Sequence, residues 1–252
     1  MSDNHDSMYE RRFQSREAAE HYEQEIYRVG SYNDLVWRIE QSLLETLVME
    51  FRKAHDSIEY LDFACGTGRV LSFMQNYVDQ ATGIEISQAM VDIALMKSGR
   101  ARVKCCDITN EPPGEQKYDL ITAFRFFTNA EPSLRLGAMK ALANRLRDDT
   151  SWLVFNNHGN LLSRKALIWP LLAARNIGPA KVPCGRAMTH GQVLRLVDHA
   201  GLRVKRVSGC DILGARLAKL LGPEIAFGWE SKLSKGPLAQ LGTSQLYVAQ
   251  LK

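Results

Sequence analysis

Tyr60-Leu61-Asp62-Phe63-Ala64-Cys65-Gly66-Thr67-Gly68-Arg69-Val70 restricts what this chain can fold into more than any other stretch. The apolar run 58–63 reads as a buried strand, and it ends in a Gly-x-Gly turn that feeds a helical pattern through Val70, Leu71 and Met74. A glycine turn lets a ligand approach bare backbone, and the first N–H groups of the new helix point, unpaired, into the same space. The unit is shaped to hold a nucleotide.

Strand and helix patterns then alternate. A helix is expected over 68–77, a strand over 80–84 ending at Glu85-Ile86-Ser87, and a helix capped by Ser87 to about residue 98. A strand over 101–106 ends at Asp107, and a loop with Pro112-Pro113-Gly114 leads to a strand over 118–123. Next come a helix that starts after Pro132 and runs to about 146, and a strand over 152–156. Such alternation argues for a doubly wound, Rossmann-like, mostly parallel sheet covered on both faces. Before it, Ser15 opens a short helix to Tyr27 that Gly30 stops, and a longer helix from Asn33 or Asp34 spaces Leu35, Ile39, Leu43, Leu47 and Phe51 by four. After it, 159–188 breaks the alternation, with a helical stretch 161–174 interrupted at Pro170. Regular order resumes with a helix capped at Thr189 and running to His199, a stop at Gly201, a strand over 202–207 and a last strand over 244–251. At 252 residues this is one domain: an N-terminal helical cap (1–56), a nucleotide-binding core (57–156), a substrate cap (157–188) and the rest of the core (189–252).

In a doubly wound sheet ligands sit beyond the carboxyl ends of the strands. The Gly66 loop, Glu85, Asp107 and Ala123-Phe124-Arg125 all fall there. Glu85 lies at the interval where an acid reaches a ribose diol, and its carboxylate can accept two hydroxyl hydrogen bonds. Asp107 can accept from an exocyclic amine, with Ile86 or Ile108 as an apolar plate for a base.

Taken together, these residues resemble the class I S-adenosylmethionine-dependent methyltransferases, from about residue 58 to 156 and more loosely to the end, where the resemblance implies an antiparallel last strand. Asp62-Phe63-Ala64-Cys65-Gly66-Thr67-Gly68 is similar to that family's glycine-rich motif, but Ala64 stands where glycine is commoner. Alanine is tolerated there if its backbone angle is ordinary. The resemblance implies that S-adenosylmethionine is the cofactor and S-adenosylhomocysteine the product. It also implies that Gly66 and Cys65 admit the cofactor, with Asp62 holding its amino group directly or through water. Glu85 would hold the ribose, Asp107 the adenine, and Ala123, Phe124 and Arg125 would line the sulfonium; Thr67 and Met90 are secondary contacts.

A nicotinamide-dependent oxidoreductase is the rival enzyme, but its third glycine is replaced by Leu71, and Asp62 is a poor neighbour for a pyrophosphate. A cofactor-binding regulatory protein without chemistry is the rival from another class. The tetrapeptide typical of enzymes that methylate base or amide nitrogens is absent after the fourth strand, which reads Ala123-Phe124-Arg125-Phe126-Phe127-Thr128-Asn129. A small acceptor is expected, oxygen slightly favoured over nitrogen, contacted by Phe127 and Asn129 and by Tyr32 and Trp37 near the N-terminal turn. Trp37 reads equally well as packed core. A hydroxyl acceptor needs a base: His158 is the first candidate and His190 the second, each with an ordinary structural alternative in a hydrogen bond at a strand end or a place in a helix's first turn.

Five cysteines, an odd number without metal-ligand spacing, suit reduced thiols in a cytoplasmic protein, with no metal expected. The net charge of +4 is spread along the chain, so no nucleic-acid partner is indicated. In 212–221, Leu213, Leu217, Leu220 and Leu221 share a helical face flanked by Arg216 and Lys219. Packing on the sheet or against a second copy is its ordinary role. A peripheral membrane contact, helped by the apolar run 167–172, is the weaker one. Oligomeric state is left open.

Overall fold

The computed structural model describes residues 28–107, 116–160, 163 and 188–252. The expected helix 15–27, the proline loop 112–114, nearly all of the insert and Ile108 lie outside them.

The chain opens on α1 (Tyr32–Arg52), where the Ser31 hydroxyl accepts from the Asp34 N–H at 3.1 Å. Its four-residue spacing buries Leu35, Ile39, Leu43, Leu47 and Phe51 on one face of the sheet, each side chain contributing about 1.5–3 kcal/mol. Then follow β1 (Glu59–Phe63), α2 (Arg69–Met74), β2 (Gln80–Glu85), α3 (Gln88–Lys97), β3 (Arg102–Cys105), β4 (Leu120–Ala123), α4 (Pro132–Ala143) and β5 (Trp152–Asn157). The chain continues through α5 (His190–His199), β6 (Leu202–Cys210), α6 (Ala215–Leu221), α7 (Pro223–Leu233), a 3-10 helix (Pro237–Leu241) and β7 (Ser244–Leu251).

The sheet order is β3-β2-β1-β4-β5-β7-β6. β1 to β5 are parallel, and β7 runs antiparallel between β5 and β6. Alternate strand residues feed the two faces, as the pleat requires. Tyr60, Leu120, Val154 and Val248 meet α1, while Leu61, Ile121, Phe155 and Tyr247 meet α4 and α5. Strand order reverses between β1 and β4, so the crevice for a ligand opens there.

Several boundaries differ from expectation. α2 stops at Met74, where the pairing tightens so that the Asn76 N–H donates to Phe73 O and the Tyr77 N–H to Met74 O; beyond it Arg52 donates to Tyr77 O at 2.9 Å and Arg100 to Gln75 O and Val78 O. α4 ends at Ala143, since residues 145–147 pair with Tyr118 in an isolated bridge. β6 continues to Cys210 instead of stopping at 207; Gly209 allows it, because a Cβ there would lie 2.0 Å from Ala239 O. The helix expected over 212–221 begins only at Ala215. The Ile212 and Leu213 N–H groups donate to the buried Glu230 carboxylate at 3.1 and 2.7 Å, and Gly214 turns left-handed at φ 84°. Its leucine face is divided: Leu221 packs with Ala218 against the α1-side core and Leu213 is half-buried, while Leu217 and Leu220 are exposed. α7 was not foreseen at all.

Candidate functional site

The loop between β1 and α2 turns left-handed at every second residue: Ala64 (φ 52°), Gly66 (φ 56°) and Gly68 (φ 77°). That alternation is the physical reason for the motif's spacing, and it makes Ala64 a strained residue, contrary to the expectation of an ordinary angle. An L side chain in this region costs roughly 1–2 kcal/mol. Glycine would remove the strain at the cost of a more flexible unfolded chain, worth about 0.4–1 kcal/mol. Ala64→Gly is therefore expected to hold or raise stability by up to about 1 kcal/mol in urea unfolding. A loss of more than that would show that the Ala64 methyl packs productively.

Gly66 faces open space, with nothing within 4 Å of where a Cβ would stand. Gly83 on β2 does the opposite: a Cβ there would meet Leu71 Cδ2 at 2.6 Å and Cys65 Sγ at 3.0 Å. Close helix–strand packing, which the dinucleotide fingerprint obtains from its third glycine, is here obtained from a glycine on the strand, with the fully buried Leu71 lying over it. Sequence reading missed Gly83, although a glycine inside an apolar strand pattern is a signal of close approach.

Asp62, one residue before the end of β1, is buried. Its Oδ1 accepts from the Thr122 hydroxyl at 2.7 Å, and that hydroxyl also meets the Tyr60 phenol at 2.5 Å. Its Oδ2 is buried without a hydrogen-bond partner. Burial pushes the Asp62 carboxyl up to about 7, opposed only in part by the Thr122 hydroxyl, the Leu71 amide and the Arg69 charge, and reinforced by Glu85. Thr122, a polar residue in the middle of an apolar strand, was the overlooked signal.

Glu85 ends β2 as expected, but its carboxylate is largely engaged. Oε2 accepts from the Gly66 N–H at 2.9 Å, and Oε1 accepts from the Ile86 and Ser87 N–H groups at 2.9 and 3.1 Å. Of about four acceptor positions on a carboxylate, one is left. Holding two hydroxyls, as expected from sequence, would require the loop to release an amide. Burial raises the Glu85 pKa, while the three amides lower it.

The neighbouring strand end comes to the same place: the Cys106 N–H donates to Glu85 O at 3.0 Å, leaving Asp107 next in line. Ile86 is half-buried, Met90 is buried against Ile93, and Thr67 is buried in the loop. Burial raises the Cys65 thiol far above its ordinary pKa, so it stays protonated and is a filler beside Gly83, not a nucleophile.

Beyond β4, Ala123 is fully buried, Phe124 packs in the α1-side core, and Arg125 turns left-handed at φ 60°. Two asparagines grip its backbone: Asn156 Oδ1 accepts from the Arg125 N–H at 2.6 Å, and Asn129 Nδ2 donates to Arg125 O at 2.5 Å. Asn156 also donates to Glu40 Oε1 of α1 at 3.1 Å, and Glu40 Oε2 lies 3.9 Å from the Arg125 guanidinium. Neither Asn156 nor Glu40 was singled out from the sequence, because their partners are distant along the chain.

Phe127 is fully buried in an aromatic row that runs Phe63, Phe126, Phe127, Phe155, Tyr247, His190, with ring centroids 4.8–5.7 Å apart. It backs the loop and presents no surface to an acceptor. Trp37 is packed in the core, edge-on to Phe73 and beneath the Arg69 guanidinium. Tyr32 hydrogen-bonds Asp211 at the end of β6. His158 lies beyond β5 with both ring nitrogens near the Thr128 hydroxyl, at 2.6 and 3.0 Å. His190 Nδ1 is 2.9 Å from the Tyr247 phenol, whose own proton goes to Gln245 Oε1 at 2.7 Å. His190 Nδ1 is therefore the donor in that pair.

Residues 36–207, more than half of the chain, match a family model described as a methyltransferase domain. The chain belongs to the methyltransferase-domain family. The resemblance to the class I S-adenosylmethionine-dependent methyltransferases is borne out, and the nicotinamide-dependent reading falls away. No curated protein sequence matches the chain. Among solved structures, the methyltransferase is similar to magnesium protoporphyrin IX methyltransferase from Synechocystis, solved with S-adenosylhomocysteine (TM-score 0.60, 12% identity, 93% of this chain and 97% of that one). It is also similar to a TehB-like S-adenosylmethionine-dependent methyltransferase from Corynebacterium glutamicum (TM-score 0.58, 16% identity, 94% and 100%). The N-methyltransferase NodS from Bradyrhizobium japonicum is a third fold neighbour (TM-score 0.59, 12% identity, 95% and 97%). At these identities they establish the shared fold.

Proposed function

We propose that this methyltransferase moves a methyl group from S-adenosylmethionine to a small-molecule acceptor, oxygen slightly favoured over nitrogen. The observation that carries the donor assignment is Asp62 Oδ2, a buried carboxylate oxygen without a partner beside a glycine turn with open space at Gly66. A ligand ammonium would satisfy that oxygen, whereas a pyrophosphate would be repelled by it. Bound S-adenosylmethionine supplies a methyl group on a positively charged sulfur, open to in-line attack by a lone pair.

The chain's own residues do the rest. Asp62 holds the amino group, the remaining acceptor position of Glu85 takes a ribose hydroxyl, and Asp107 takes the adenine amine, with Ile86 or Ile108 as an apolar plate for the base. Cys65, Thr67 and Met90 shape the same wall, and Ala123, Phe124 and Arg125 border the sulfonium. Tyr32 and Asn129 border the acceptor side, and the buried Trp37 and Phe127 only back it from the core. His158, oriented by Thr128, accepts the proton of a hydroxyl acceptor, and His190 is the reserve candidate. Much of the acceleration then comes from alignment of donor and acceptor.

Calorimetry with S-adenosylmethionine, S-adenosylhomocysteine and NAD tests the donor: the first two should bind and NAD should not, and the reverse result would overturn the reading. Labelled methyl donor incubated with small-molecule extracts should yield a labelled product; none would favour a binding protein without turnover. With that acceptor in hand, His158→Ala should lower kcat/KM about 10²–10⁴-fold if oxygen is methylated. Full turnover would dismiss His158 as the base.

A further inference from the structure

We propose that the outward face of α6, α7 and the 3-10 helix docks the protein on an anionic lipid surface. Leu217 and Leu220 on α6, Ile225 and Trp229 on α7, and Leu238 and Leu241 on the 3-10 helix are all exposed, Leu220 at 83% and Trp229 at 56%. Each pair sits at a spacing that places both side chains on one side of its helix: three residues on α6, four on α7, and three on the 3-10 helix, where i and i+3 eclipse. The packed sides lie about a third of a turn round, through Ala218, Ala226, Glu230 and Ala239. Large apolar side chains grouped outward in three successive elements call for an occupant.

Charge identifies it. Arg216, Lys219, Lys232 and Lys235 are exposed among these side chains. The acids of the same segment are engaged elsewhere: Glu224 pairs with Arg38 at 3.1 Å, and buried Glu230 accepts from two backbone amides. These elements thus expose large apolar side chains together with cations that no acid of the same segment offsets. A second copy meeting this face about a two-fold axis would set cations against cations. A bilayer rich in anionic headgroups satisfies both parts: leucine, isoleucine and tryptophan enter the headgroup–acyl boundary, and lysine and arginine meet the phosphates. None of the described helices is long and apolar enough to cross a membrane, and the contact proposed here is a peripheral one. This inference stands independently of the methyl-transfer reading.

The test is co-sedimentation with phosphatidylcholine vesicles and with vesicles containing a third phosphatidylglycerol, at low and high salt. Binding is expected to the anionic vesicles at low salt and to weaken at high salt. Lys219→Gln with Lys232→Gln should weaken partitioning roughly 25-fold, about fivefold for each charge. Leu220→Ser with Trp229→Ser should abolish it; all four side chains are exposed, so these variants should keep the wild-type Tm. Absence of binding to anionic vesicles at low salt overturns the proposal, as does binding that ignores both variants. Light scattering on the same samples covers the remaining outcome: a dimer that Leu220→Ser dissociates, without vesicle binding, assigns the face to a second copy and overturns the lipid surface.

Discussion

An Asp62→Asn variant is expected to melt about 3–8 °C above the wild type at pH 8, to match it near pH 4, and to bind S-adenosylhomocysteine at least tenfold more weakly. The cause is a buried carboxylate whose folded-state pKa stands near 7 against an ordinary value of 3.8. A carboxyl with a raised folded pKa binds more protons folded than unfolded between those two values. Stability therefore falls as pH climbs from about 4 to about 7 and is flat above, the charged form costing roughly 4 kcal/mol in the ligand-free protein. Asparagine removes that charge and keeps much of the shape. A ligand ammonium reverses the preference and draws the carboxyl back to its charged form, so wild-type affinity should fall as pH drops below 7, and the variant should lose this dependence. Thermal melts and calorimetry across pH 5–8 read both effects. Equal melting at pH 8, or an unchanged pH profile of binding, would show that Asp62 is not the buried charge facing the ligand.

Glu85→Ala should destabilise the protein by about 3–6 kcal/mol, because it leaves the Gly66, Ile86 and Ser87 amides without their acceptor. Loss of ligand binding in this variant would then report a collapsed loop as much as a lost ribose contact. A 2′,3′-dideoxy analogue of S-adenosylhomocysteine separates the two. If Glu85 acts only as the staple of the glycine loop, the variant loses the same factor for the analogue as for the parent; if it also grips a hydroxyl, the analogue is less affected. A urea midpoint unchanged by Glu85→Ala would remove the staple itself.

The contrast between Asp62 and Thr122 shows what the sequence could reveal. β1, β2, β4 and β5 were legible because strands buried on both faces of a parallel sheet read as short apolar runs, and β3, an exposed edge strand, because it falls in the strand–helix alternation; their acids fall at carboxyl ends that the topology brings together. Thr122 was marked only by its polarity within an apolar strand, and Asn156 and Glu40 carry no local mark. Their roles depend on partners 31 to 116 residues away, which no periodicity encodes. The strain at Ala64 was invisible for another reason: side-chain identity does not fix φ, and alanine, unlike glycine or asparagine, gives no hint of a left-handed angle. The leucines of α6 misled in the opposite direction. Helical periodicity reports that a face is apolar, not that the protein covers it.

The position of β7 has a consequence for how the molecule is made. β6 pairs with no described strand except β7, which is also the neighbour that joins it to β5. While the chain emerges from the ribosome, Leu202–Cys210 must wait with both edges open until Ser244–Leu251 follow and slide in beside them. The parallel half of the sheet can assemble earlier, strand by strand. Closure of the far half is therefore one late, long-range event, the interval in which this protein is most exposed to aggregation and most in need of a chaperone.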